Sequence, residues 1–223
     1  MRNRYFDGIS IQNHRTENMD SLLLSSRSIG NKRLLLSAVC DGVGSTKDGA
    51  FAAYTTIRLL SDWFDAVEMG TRLGLQLRDK VLEINQFITE EANKRNLNTA
   101  STLSSLLLID DYYYIIHLGD SRIYSYENET LRQMTDDDVS EEGKLTSYLG
   151  RGQKLIPHYD EGSAYGKQFL LCSDGLYKKL DDNMISAAFR CLAPNNLRQE
   201  ALNLSRLAIE RGERDNISVA LII

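Results

Sequence analysis

Residues 34–45 read Leu-Leu-Leu-Ser-Ala-Val-Cys-Asp-Gly-Val-Gly-Ser. Residues 34–40 form a nearly continuous apolar run, which is typical of a strand covered on both faces of its sheet. Asp41-Gly42, directly after the run, is a turn signal. We therefore predict a buried strand over Leu34–Cys40 that places the Asp41 carboxylate at one edge of a sheet.

Two amphipathic helices are predicted next, because apolar residues recur at spacings of three and four, as they do along one helix face. The first stripe is Ala50, Ala53, Ile57, Leu60 and Phe64, and the second is Leu77, Val81, Ile84, Ile88 and Ala92. Residues 96–98 break the second stripe. We expect the first helix to pack on the predicted strand.

The pattern becomes β-rich after residue 101. The predicted strands are Leu106–Ile109, Tyr112–Leu118, Ile123–Tyr126 and Leu131–Met134. Short polar turns separate them, which predicts an antiparallel meander. Residues 136–144 are polar and acidic, and we interpret them as a solvated loop.

In the last third of the chain, strand and helix patterns alternate again. They predict a strand Phe169–Cys172, helices Asn183–Leu192 and Leu197–Arg211, and a closing strand Ile217–Ile223. Repeats and low-complexity segments are absent, and only two prolines occur. We predict one domain over residues 1–223, with no further domain after the closing strand.

Composition narrows the class of protein. The chain has 223 residues, 42% hydrophobic and 26% charged, with a formal net charge of −5. This acidic balance argues against nucleic-acid binding, which needs clustered Lys and Arg. Three cysteines in apolar settings favour buried, reduced thiols. With neither a signal peptide nor a run of about 18 apolar residues, we expect a cytoplasmic protein that does not bind membranes.

Five aspartates in turns suggest the chemistry. They are Asp20, Asp41, Asp120, Asp174 and Asp215. A single Asp-Gly pair indicates only a turn, but four of the five adjoin strand-like runs, so folding can bring them to one edge. Hard oxygen ligands without His or Cys favour Mg²⁺ or Mn²⁺ over zinc. The set therefore predicts a divalent-metal site that activates water for attack on a phosphate ester.

An ordered series of short motifs carries a resemblance. The motifs are Arg15-Thr16-Glu17-Asn18-Met19-Asp20, Asp41-Gly42-Val43-Gly44-Ser45, Ser101-Thr102, Gly119-Asp120-Ser121-Arg122, Leu145-Thr146-Ser147-Tyr148-Leu149-Gly150, Leu170-Leu171-Cys172-Ser173-Asp174-Gly175-Leu176 and Asp215-Asn216-Ile217-Ser218. With these motifs the chain resembles the metal-dependent protein phosphatases of the 2C type, particularly the compact bacterial members, over nearly its whole length.

The resemblance implies an α+β fold, a four-layer α-β-β-α sandwich of two central antiparallel sheets flanked by helices. It also implies roles for the site residues. Asp41 would bridge two Mn²⁺ or Mg²⁺ ions, Gly42 would offer its carbonyl, and Asp174 and Asp215 would complete the centre. Asp20 would hold its ion through water, and Asp120 would serve a third, weakly held ion. Arg15 would grip the substrate phosphate.

The chain departs from the family pattern at three positions and in one segment. Met19 replaces the usual Glu, which predicts weaker occupancy of the neighbouring metal. Ser45 replaces a Gly, and Val43 stands where some relatives carry a histidine. Between Thr135 and Leu145 there is room only for a loop, where many relatives insert a helical flap.

Other candidate groups have simpler interpretations. Cys40 lacks the Arg six residues later that a Cys-dependent phosphatase needs, since Thr46 stands there. His14 and His117 are interpreted as structural or surface residues, whereas His158 stays an outside candidate for acid catalysis.

The predicted function is a Mg²⁺/Mn²⁺-dependent protein serine/threonine phosphatase, a monomer whose partners are phosphoproteins made by a Ser/Thr kinase. Two alternatives stay open. One is a pseudophosphatase that binds phosphoproteins without turnover. The other is a two-metal nuclease or phosphodiesterase, which the acidic balance disfavours.

Overall fold

The computed structural model describes residues 4–44, 46, 48–70, 72–152 and 155–223. Within them the chain forms ten strands and five helices. The strands are β1 (Phe6–Ile11), β2 (Ser21–Ile29), β3 (Lys32–Cys40), β4 (Leu103–Ile109), β5 (Tyr112–Leu118), β6 (Arg122–Glu127), β7 (Thr130–Gln133), β8 (His158–Ser163), β9 (Gln168–Cys172) and β10 (Ile217–Ile222). The helices are α1 (Gly49–Ala66), α2 (Leu73–Arg95), α3 (Asp174–Tyr177), α4 (Asp182–Phe189) and α5 (Leu197–Glu210). Ser45, one of the predicted departures, lies outside the described residues.

The strands form two antiparallel sheets of five. The first has the order β1-β10-β9-β6-β7 and the second β2-β3-β4-β5-β8. Helices α1 and α2 cover the outer face of the second sheet, and α3, α4 and α5 lie against the first. The predicted four-layer sandwich is therefore confirmed.

The position of strand β3 explains why its sequence is apolar throughout. Side chains alternate along a strand, so Leu34, Leu36 and Cys40 pack with the α1–α2 layer, whereas Leu35 and Val39 pack between the two sheets. All five are at most 2% exposed. Both faces are covered, and a strand in that position carries no polar stripe.

Helix α1 begins against the turn that follows β3. A Cβ added to Gly42 would lie 2.7 Å from the backbone of Gly49, the first residue of α1. Only glycine at position 42 permits this approach without displacing the helix. The close contact sets the position of the Asp41 turn relative to the outer layer.

The predicted meander is wrong at one connection. Strand β5 pairs with β4 and β8, whereas β6 pairs with β7 and β9, so residues 119–121 cross from one sheet to the other. Two consecutive apolar strands have the same sequence pattern whether they pair within one sheet or pack face to face in opposite sheets. Here Ile115 and Ile123 meet in the layer between the sheets.

Three strands have no counterpart in the prediction, namely β1, β2 and β8. Each lies at the edge of its sheet. Edge strands carry more polar residues, as in His158–Ser163, whose side chains are mostly exposed. Their apolar signal is correspondingly weak.

The cysteines follow the prediction only in part. Cys40 and Cys172 are buried free thiols, but Cys191 is exposed, so its predicted burial is wrong. It lies in the turn beyond the end of α4, where the next residue, Leu192, is partly buried against the core but Cys191 itself faces solvent. None of the helices that the structure describes combines the length and apolar character needed to cross a bilayer.

Candidate metal centre

A cavity of about 560 Å³ lies at the end of the sandwich where β3 and β9 terminate and β10 begins. Its walls include six of the seven predicted site residues, which are Arg15, Asp41, Gly42, Asp120, Asp174 and Asp215. The seventh, Asp20, is buried beside them. Folding therefore brings together residues that the sequence spreads over two hundred positions.

Asp41 lies at the centre of this group. Its backbone is held by Thr102, whose hydroxyl accepts from Asp41 N (2.9 Å) and whose amide donates to Asp41 O (2.9 Å). Burial raises the pKa of Asp41 well above its usual value, and the charges of Asp20, Asp174, Asp120 and Asp215 raise it further. The other four carboxylates are thus close enough to Asp41 to disfavour its charged form.

Asp20 is held beneath the cavity. Its Oδ2 accepts hydrogen bonds from Ser173 Oγ (2.7 Å) and Ser218 Oγ (2.8 Å), while its buried Oδ1 has no partner among the described residues. Burial raises the pKa of Asp20 to about 7 against the two hydroxyl bonds, which lower it. Because Ser173 directly precedes Asp174, its hydrogen bond holds the Asp20 carboxylate next to the segment that carries Asp174.

Two cationic side chains contact the other predicted ligands. Arg15 makes a bidentate contact with Asp215, with Nε–Oδ1 and Nη2–Oδ2 distances of 2.7 and 2.6 Å. Burial raises the pKa of Asp215, but the hydrogen bonds from Arg15 and the Asn216 amide, together with the charges of Arg15 and Lys178, outweigh burial and lower it. Lys178, one turn after Asp174 on α3, contacts Asp174 Oδ2 through Nζ. Asp174 Oδ1 is buried without a partner in the described part of the chain.

Residues 136–138 brace the turn that carries Asp120. Asp138 exchanges two hydrogen bonds with Gly119, from Gly119 N to Asp138 Oδ2 (2.9 Å) and from Asp138 N to Gly119 O (2.7 Å). Asp137 accepts from Arg122 at 2.6 and 2.9 Å. The solvated-loop interpretation is wrong for these two acids, whose side chains are only 14% and 20% exposed. They contact Gly119 and Arg122, which flank Asp120 in the sequence, and burial together with the charge of Asp174 raises the pKa of Asp120 to about 6.

The remaining candidate residues have no catalytic role in our interpretation. Burial raises the pKa of the Cys40 thiol, so this cysteine is not a thiolate nucleophile. Buried His117 contacts Ser104 Oγ and Asp136 O, each at 2.9 Å. His158 contacts Asp138 Oδ1 at 2.7 Å, and it is not among the described residues that line the cavity.

Two residues near the cavity were not assigned a role from the sequence. Asn216 anchors the segment that carries Arg15, since its Nδ2 donates to Gln12 O and Glu17 O and its Oδ1 accepts from Met19 N. Lys178 carries a positive charge into the acidic group. The i,i+4 spacing from Asp174 was the available signal for Lys178, but α3 itself was not predicted.

The donor set fits a hard divalent cation. It consists of carboxylate oxygens, two of them buried without a partner, and burying such charges together is unfavourable unless a cation compensates them. In the part of the chain that the structure describes, no three His, Cys, Asp or Glu side chains are preassembled around one point as an ion cage. Arg15 and Lys178 contact two of the carboxylates instead. The individual ligand assignments therefore stay predictions.

The raised pKa of Asp20 leads to a prediction about pH. Its folded value of about 7 lies above the unfolded value of about 3.9, so between these values the folded state binds more protons and stability falls as pH rises. Relative to Asp20→Asn, wild type should lose about 5 °C in Tm between pH 5 and 8 in EDTA. Comparing the two proteins cancels the opposite contribution of His117, whose pKa burial lowers. A difference in Tm that is constant with pH would contradict the prediction.

Comparison with known proteins identifies the family. The chain belongs to the protein phosphatase 2C family, whose model matches residues 10–205. A serine/threonine phosphatase Stp of Listeria welshimeri is 27% identical over 209 residues, covering 82% of each chain. The serine/threonine protein phosphatase PstP of Mycobacterium tuberculosis is 28% identical over 93% of this chain and 42% of its own length.

Solved structures agree on the fold. The catalytic domain of PstP in complex with two manganese ions superposes with a TM-score of 0.82 at 26% identity, covering 98% of this chain and 97% of that one. The phosphatase Stp1 from Staphylococcus aureus reaches a TM-score of 0.87 at 21% identity, covering 97% and 93%. The second likeness concerns the fold alone.

Proposed function

We propose that this protein is a Mn²⁺- or Mg²⁺-dependent protein serine/threonine phosphatase that hydrolyses phosphoserine and phosphothreonine in proteins. The observation that carries the proposal is that Arg15 and four predicted carboxylate ligands line one cavity, with the fifth, Asp20, buried and acting electrostatically on Asp41. Family membership and the names of the relatives support the same activity. Its substrates would be products of a protein kinase.

Asp41, Asp174 and Asp215 would hold two ions, with Gly42 offering its carbonyl, Asp20 acting through water and Asp120 serving a third ion. Ions of this kind, when bound, lower the pKa of water and neutralise phosphate oxygens. Arg15 has a guanidinium of the geometry that matches a phosphate. Its contact with Asp215 keeps that guanidinium at the cavity, and its side chain is half-exposed, so it can turn towards a substrate.

Four further elements of the site would be positional. Thr102 holds the Asp41 backbone, Ser173 orients Asp20, and the pair Asp137–Asp138 steadies the Asp120 turn. Asn216 holds the 12–19 segment, and with it Arg15. We further propose that residues 1–223 act as one catalytic unit with a short segment in place of a helical flap.

The test is hydrolysis of p-nitrophenyl phosphate and of a phosphothreonine peptide, with and without Mn²⁺. Turnover of both that requires the ion supports the proposal. A folded protein that binds phosphopeptide without turnover would instead indicate the pseudophosphatase. Cleavage of bis-p-nitrophenyl phosphate but not of the monoester would indicate a phosphodiesterase.

Met19 provides a separate prediction. Its side chain lines the cavity next to Asp20, so Met19→Glu adds an acceptor and a negative charge beside the predicted ion. We expect the Mn²⁺ concentration for half-maximal activity to fall about threefold to tenfold. Met19→Gln, which has a similar shape and no charge, is the control. An unchanged Mn²⁺ requirement in Met19→Glu would show that position 19 does not influence the metal.

A further inference from the structure

Lys178 is a cation inside the predicted metal centre. It is the C-cap residue that directly follows helix α3, one turn after Asp174, and its ammonium contacts the Asp174 carboxylate. Its side chain lines the cavity and is 53% exposed, whereas that of Asp174 is only 13% exposed. The lysine therefore brings a solvent-accessible cation into contact with a largely buried carboxylate.

Other carboxylates also act on this ammonium. Partial burial lowers the pKa of Lys178, but Asp174, Asp120 and Asp41 outweigh burial and raise it. Three of the five predicted carboxylate ligands therefore act electrostatically on this ammonium.

We propose that Lys178 competes with the divalent ion for the Asp174 carboxylate and thereby lowers the metal affinity of the site. Asp174 has one oxygen, Oδ1, that is buried without a partner in the described chain, and its other oxygen contacts the lysine. A metal ion that takes this carboxylate must either displace the ammonium or bind next to it. Displacement breaks the contact between Lys178 and Asp174, and binding next to the ammonium places two cations a few ångströms apart, where they repel each other. The inference rests on the metal site proposed above.

The neighbouring residue offers a matched control. Lys179 has the same charge, follows directly in the sequence and is exposed. It is not among the described residues that line the cavity, and no ion pair between Lys179 and a carboxylate is found among those residues. Lys178→Gln and Lys179→Gln thus change the net charge equally, but only the first removes a cation that contacts a predicted ligand.

The experiment is a calorimetric titration of the metal-stripped protein with Mn²⁺ alone, which requires no turnover. We expect Lys178→Gln to bind Mn²⁺ about tenfold more tightly than wild type, a change of about 1.4 kcal/mol. Lys179→Gln and the charge-conserving Lys178→Arg should stay within about twofold of wild type. As a second measurement, the rise in Tm on adding Mn²⁺ should be larger for Lys178→Gln.

The outcomes separate this inference from the proposed function. Equal or weaker Mn²⁺ binding by Lys178→Gln refutes competition while leaving the metal site intact. Equal tightening by Lys179→Gln also refutes it, because net charge alone would then explain the effect. If neither wild type nor Lys178→Gln binds Mn²⁺, the metal centre itself is refuted. Normal binding without hydrolysis would count against the phosphatase proposal only.

Discussion

Asp174→Asn and Asp41→Asn should each lower kcat/KM for a phosphothreonine peptide by at least about a thousandfold, or about 4 kcal/mol of transition-state stabilisation. Both side chains line the cavity and act electrostatically on each other. An amide has nearly the same shape as a carboxylate, but it carries no charge and is a far weaker ligand for a hard cation. Steady-state kinetics at saturating Mn²⁺, together with Mn²⁺ titration of each variant, measure the effect.

The control is Asp62→Asn. Asp62 is 64% exposed and contacts only Arg58 on the same helix among the described residues, so kinetics should match wild type within about twofold. Unfolding curves confirm that the active-site variants are folded. If Asp174→Asn keeps wild-type activity and Mn²⁺ affinity, the carboxylates are not ion ligands and the two-ion proposal fails.

Gly175→Ala should destabilise the protein by about 3 kcal/mol and weaken Mn²⁺ binding. A Cβ at position 175 would lie 2.1 Å from Asn216 O, a backbone atom that cannot move without shifting β10. Gly175 follows Asp174, and Asn216 follows Asp215. The same close approach that only glycine permits therefore brings two predicted ligands together.

Urea unfolding of Gly175→Ala beside Gly44→Ala measures this effect. A Cβ at Gly44 would meet nothing within 4 Å, so that variant should be as stable as wild type or slightly more stable. If Gly175→Ala has the same urea midpoint and the same Mn²⁺ affinity as wild type, the approach of α3 to β10 is not needed to assemble the site.

Strand and helix patterns were predictable where burial is complete. Strand β3 and the closing strand were predictable because their residues form nearly continuous apolar runs. Helices α1 and α2 were predictable because their apolar residues recur at spacings of three and four. Edge strands such as β1 and β8 were missed because they carry polar residues on their open sides. The placement of β5 and β6 in different sheets was missed because two apolar strands have the same sequence pattern whether they pair in one sheet or pack in opposite sheets.

The sequence by itself determined which residues are buried on both faces and that aspartates follow or precede the apolar runs, because both properties depend on neighbouring residues and side-chain chemistry. The tertiary structure decided which charges meet. Arg15 and Asp215 are 200 residues apart in the chain, yet they form a bidentate pair. Lys178 lies in the same cavity as Asp41 and Asp215 only because α3 packs beside β10 and the Asp41 turn. Such contacts depend on strand register and layer packing, which arise from interactions between distant segments and leave no periodic pattern in the sequence.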